Sequence, residues 1–74
     1  MTPNRLYAVD TAQKTHCLVA TDYGEGWRHG NNQAFWDFLA ANRSWPLIFV
    51  RERGDEALYD LYVKRGVAFN GGAL

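Results

Sequence analysis

The sequence predicts a small α+β domain with the element order β-β-α-β-α-β: two layers, a mixed sheet of three or four strands packed by two helices. Three observations carry this reading. Residues 31–43 place apolar side chains at helical spacing. Residues 55–66 carry helix start and stop signals at both ends. Short apolar runs at 6–10, 15–21, 47–50 and 67–69 surround these two segments, so one opening hairpin and helical crossovers are both expected.

Leu6-Tyr7-Ala8-Val9-Asp10 reads as a first strand, Thr11 to Lys14 as a hairpin loop, and Thr15 to Thr21 as a second strand. Both strands lack strict alternation, which predicts that at least one is covered on both faces by a helix or a partner. Asp22 to Gly30 holds three glycines, which remove helix and strand preference, and reads as a loop. The first helix follows. Phe35, Phe38 and Leu39 share one face, Trp36 and Ala40 widen it, and Asn31 or Asn32 is placed to cap its start. Pro46 disfavours the α region for Trp45 and predicts the stop near Asn42 to Ser44.

Leu47-Ile48-Phe49-Val50 is an unbroken apolar run, the best candidate for a central strand buried on both faces. In the second helix Asp55 is the expected cap and Asp60 with Lys64 an i,i+4 pair. Gly66 stands where a left-handed C′ residue belongs. Leu58, Leu61 and Tyr62 make its expected buried stripe, with Tyr59 and Val63 on the flank. Val67-Ala68-Phe69 reads as the last strand. The expected core is Phe35, Phe38, Leu39, Leu47, Phe49, Leu58 and Leu61.

With 74 residues, the whole chain is read as a single domain with a thin stability margin. One cysteine excludes an intramolecular disulfide and a thiolate metal cage, so apolar packing must hold the fold; 47% of residues are hydrophobic. Eight basic residues balance eight acidic ones, which gives no general attraction to nucleic acid or anionic membrane. No apolar run reaches membrane-spanning length. A lone Cys17 and no export signal predict a cytoplasmic protein.

The glycine loop departs from a dinucleotide-binding turn: its third glycine falls one residue late, and Glu25 and Trp27 put charge and bulk where a pyrophosphate would approach. Tyr23, Trp27, Arg28 and His29 are residue types enriched at binding hot spots or in polar contacts, and Trp27 is equally suited to covering the core. His16 and Cys17 are neighbours on a strand and point to opposite faces, so a shared metal or nucleophilic site is disfavoured.

Two local resemblances stand beside this. Residues 6–21, with Asp10 ending the first strand before a hairpin, are locally similar to the opening of ribonuclease-H-like nucleases, whose first strand carries a metal-binding acid. Two-metal chemistry needs several converging acids, and the expected elements supply no second or third one, nor the third hairpin strand. A turn-starting aspartate is the alternative role for Asp10. Residues 47–69, with Asp55-Glu56-Ala57-Leu58-Tyr59 and Lys64-Arg65-Gly66-Val67-Ala68-Phe69, look like the strand-helix-strand unit of glyoxalase and bleomycin-resistance-type domains. The further strands that bear the metal ligands there have no counterpart in this sequence.

No catalytic constellation, metal site or cofactor site emerges. The expectation is a non-catalytic protein-binding module, of the inhibitor or adaptor kind that phages and mobile elements encode against host defences. Its expected contact residues are Tyr23, Glu25, Trp27, Arg28, His29 and Tyr59. The alternatives are a small nucleic-acid binder and a homo-oligomeric subunit pairing with its own copy.

Overall fold

The computed structural model describes residues 2–43 and 45–69. The strands are β1 (Asn4–Asp10), β2 (Thr15–Asp22), β3 (Trp27–His29), β4 (Leu47–Arg51) and β5 (Val67–Ala68). The helices are α1 (Asn32–Asn42) and α2, which runs through Glu56–Leu58 and continues as a π-helical stretch, Tyr59–Lys64. The sheet order is β3-β2-β1-β4, antiparallel throughout. β5 lies parallel to β2, beside Thr15 and His16, so the sheet is mixed as the sequence predicts.

One strand more is present than expected. The glycine loop ends in β3, whose Trp27, Arg28 and His29 pair with Asp22, Thr21 and Ala20. Gly24 and Gly26 supply the positive φ (107° and 108°) that reverses the chain, and the bulky residues after them take the extended form. A three-residue strand behind a glycine cluster carries too little apolar periodicity to be seen in sequence.

The helices lie on opposite faces of the sheet, making three layers rather than two. Ala8 and Cys17 pack with Phe38 of α1, joined by Val19, Phe35, Leu47 and Phe69. The alternate residue, Val9, packs with Val50 and with Val63 of α2, joined by Tyr7, Ile48, Tyr59 and Tyr62. This explains the weak alternation of β1: its Cβ atoms point to both faces, and both are covered.

α1 begins where Asn31 Oδ1 accepts the Ala34 N–H at 3.0 Å and ends at Arg43 in the left-handed region, φ 53°. Phe38 is its buried anchor, with Phe35 and Leu39 half-buried. Trp36, expected to widen the face, is exposed instead. β4 is an edge strand, not the central one: β1 takes the centre because it pairs with both β2 and β4. A strand with helices over both faces reads as an unbroken apolar run whether or not a neighbour lies on its outer edge. Phe49, expected in the core, is 52% exposed.

The second helix turns a different face inward. Leu58 and Leu61, expected in the core, are exposed, while Val63 is buried with Tyr59 and Tyr62 beside it. Tyr59, Tyr62 and Val63 stand at i, i+3 and i+4, so the helix carries two overlapping apolar stripes and it is this one, not Leu58 and Leu61, that meets β1 and β4. Arg65 N–H donates to Asp60 O at 3.2 Å, and Arg65 replaces Lys64 as the cation on the Asp60 carboxylate, also at 3.2 Å. Asp55 makes no cap; its carboxylate accepts from the Arg51 N–H (2.9 Å) and guanidinium (3.0 and 3.3 Å). Gly66 is not left-handed. It is required because a Cβ there would meet the Tyr62 carbonyl oxygen and stand 2.9 Å from that of Lys14.

Candidate macromolecular contact surface

Five of the six expected contact residues belong to the β2–β3 hairpin or its edge strand in a defined geometry. Asp22 Oδ1 accepts from the Gly24 N–H at 2.7 Å and the Gly26 N–H at 3.1 Å, tying the turn from its first residue. Glu25 and Arg28 form an exposed ion pair at 3.0 Å across the same turn. Tyr23 and Trp27 stand out from it, 62% and 46% exposed. Trp27 therefore belongs more to the surface than to the core. The hairpin's own hydrogen bonds hold the segment in place, so less ordering entropy is lost on contact than for an untied loop.

The strand period divides the hairpin's side chains. Trp27 and His29 share the α1 face, since His29 pairs with Ala20. Arg28 points to the α2 face beside Thr21. Trp27 and Arg28 thus flank the sheet edge from opposite sides. Tyr59 is brought elsewhere. It lies against Tyr7, ring centroids 5.8 Å apart, and its Oη donates to Glu52 at 3.5 Å. Glu52 in turn holds Arg5 at 3.3 Å. Across the register, Arg28, Thr21, Arg5 and Glu52 form one row, with Tyr59 at its far end. Sequence spacing contained no hint of this row, which depends on strands far apart in the chain.

The outer edge of β2 is shared. Lys14 O and His16 O accept from Val67 and Phe69 N–H of the β5 segment, while Val19 O accepts from Gly30 N–H after β3. A bulge between these two pairings shifts the register of β2 against β1. At the gap lies a cleft of about 280 Å³, lined chiefly by Cys17, Leu18, Ala34 and Phe69, with His16 and Asn31 as its polar members. His16 and Cys17 do line one cleft, from opposite faces of the strand. Burial pushes the Cys17 thiol up in pKa, which suppresses the thiolate. Burial likewise holds His16 below the ordinary imidazole range, opposed by a hydrogen bond with the Tyr62 backbone. His16 Nδ1 is buried without a hydrogen-bond partner among the described residues.

Asp10 serves the turn. Its Oδ1 accepts from Ala12 and Gln13 N–H at 3.0 and 2.9 Å, and its Oδ2 from Asn42 Nδ2 at 3.1 Å. β3 does add the third antiparallel strand of the ribonuclease-H-like comparison. The Asp10 carboxylate, 1% exposed, is nevertheless occupied by these three donors. No group of three or more His, Cys, Asp or Glu side chains with metal-binding geometry occurs among the described residues. No helix among them is long and apolar enough to cross a membrane. Comparison with protein-family models, with curated proteins and with solved structures found no match.

Proposed function

We propose that this chain is a small protein-binding module that meets its partner through the β2–β3 hairpin. One observation carries the proposal: two large aromatic side chains, Tyr23 and Trp27, are exposed on a turn held by its own hydrogen bonds. Aromatic anchors supply large contact area at low entropic cost, and a tied turn lowers that cost further. An inhibitor or adaptor role is the finer form of this reading, with Trp27 and Arg28 gripping a partner that straddles the sheet edge. Nucleic-acid binding finds less support, because Arg28 and Arg5 are each engaged by a carboxylate.

The test is affinity capture from the host lysate with the wild type, Tyr23→Ala, Trp27→Ala and Arg28→Ala, each first checked for an unchanged unfolding midpoint. Loss of a captured protein with Trp27→Ala, by about 2 kcal/mol or more of binding, is the expected result. Retention of full affinity by all three folded variants would place the contact elsewhere. A steep fall of binding with salt would favour nucleic acid.

A further inference from the structure

The opposite edge of the sheet has a defined and self-complementary opening. Glu52 N–H donates to Arg5 O, and Thr11 N–H to Pro46 O, which fixes the hydrogen-bond parity of β4 against β1. Pro46, Ile48, Val50 and Glu52 therefore turn their backbone groups inward, and Leu47, Phe49 and Arg51 turn theirs outward. The outward donors at both ends are taken: Trp45 N–H by Asn42 O at 3.0 Å, and Arg51 N–H by Asp55 Oδ2 at 2.9 Å. Among the described residues β4 pairs only with β1. Among the described residues, what stays open is the N–H and C=O of Leu47 and of Phe49, beside a half-exposed phenyl ring. Edge strands are commonly blunted by charge or proline; here those devices flank the opening and leave its centre, Leu47-Ile48-Phe49, uncharged.

We propose that β4 pairs antiparallel with β4 of a second copy of this chain, about a two-fold axis at Ile48. In that register Leu47 of one copy and Phe49 of the other exchange both hydrogen bonds, and the reverse pair does the same. All four open groups on each chain are satisfied, and both flanking blocks stay intact. Phe49 comes to lie beside the partner copy's Leu47 on the α1 face, so apolar meets apolar. A longer foreign strand would meet occupied donors at either end, whereas this short two-fold register does not. The area sets the strength. The exposed half of Phe49 contributes about 100 Å² per copy, and the strand edges raise the total to several hundred Å², roughly below the 1,200 Å² of stable complexes. The pairing is therefore weak and reversible.

Sedimentation of the purified chain from about 10 μM to about 1 mM covers the range where so small an interface associates. The expected result is a rise from one chain mass toward two. Phe49→Pro should abolish the rise while leaving the fold intact, because the lost N–H faces outward and proline is tolerated there. Phe49→Lys provides the same readout if the proline variant unfolds. Ile48→Cys tests the register. At the two-fold the facing Cα atoms stand about 4.5 Å apart, within disulfide reach, so mild oxidation should yield a covalent dimer. A single-chain mass throughout, association that survives both Phe49 variants, or open-ended growth beyond two chains would each overturn the proposal.

Discussion

Replacing Phe38 with alanine is the sharpest test of how the fold is held. The ring is 1% exposed, under Ala8 and Cys17 of the two inner strands, and meets Phe69 edge-on at 5.4 Å and 82°. Removing a buried phenyl costs about 3–5 kcal/mol in lost transfer energy and cavity formation. Of that, about 0.5–1.5 kcal/mol belongs to the aromatic pair. A chain of this length holds roughly 4–11 kcal/mol of stability, at about 0.05–0.15 kcal/mol per residue. Phe38→Ala should thus lower the urea midpoint by about 2–4 M, given a slope near the low end of about 1–3 kcal/mol/M. Leu61→Ala is the matched control, since Leu61 is half exposed on the outer side of α2. Its cost should stay below about 1 kcal/mol. The reasoning fails if Phe38→Ala costs less than Leu61→Ala, because the inward faces of both helices would then be wrongly assigned.

Two further outcomes follow from the buried polar groups. His16 is pushed below the ordinary imidazole range by burial, so the unfolded chain binds the proton more readily. Stability from this group is complete above about pH 6.5 and declines as the pH falls below it; denaturation at stepped pH should show that slope, and His16→Gln should flatten it. A slope unchanged in His16→Gln would assign it to another group. Asn42→Ala strips one donor from the buried Asp10 carboxylate and should cost about 1–3 kcal/mol by urea denaturation, while a loss within error would mean water replaces the amide.

Much of this arrangement is legible in the sequence. The α+β class, the mixed sheet, the start of α1 at Asn31, its stop before Pro46 and the anchoring role of Phe38 all follow from spacing and turn chemistry. So does the expectation that at least one of the first two strands is covered on both faces, which β1 meets. What escapes is of three kinds. β3 is too short to show a period. The inward face of α2 is one of two overlapping apolar stripes, Leu58-Leu61-Tyr62 and Tyr59-Tyr62-Val63, which spacing alone does not separate, and the three-layer stacking follows from which face each helix crosses. The edge position of β4 is hidden because burial on two faces and burial between two strands leave the same apolar run. For the candidate contact surface, residue type points to the glycine loop, which the structure folds as the hairpin. The opposed directions of Trp27 and Arg28, and the removal of Tyr59 to the far end of a cross-strand row, are set by register.

The central place of β1 has a consequence for how the chain comes together. Its partner β2 is joined by a four-residue turn, and β3 follows through another short one, so this meander forms from local encounters. Its other partner lies far along the chain: Arg5 and Glu52 are 47 residues apart. Closing so long a segment carries an entropic cost that local hairpins avoid. During synthesis the middle strand of the sheet waits with one side unpaired until Leu47 to Glu52 have been made. A nascent chain halted before that point presents β1 itself as an open edge, and a pause there would be the moment of greatest exposure to mispairing.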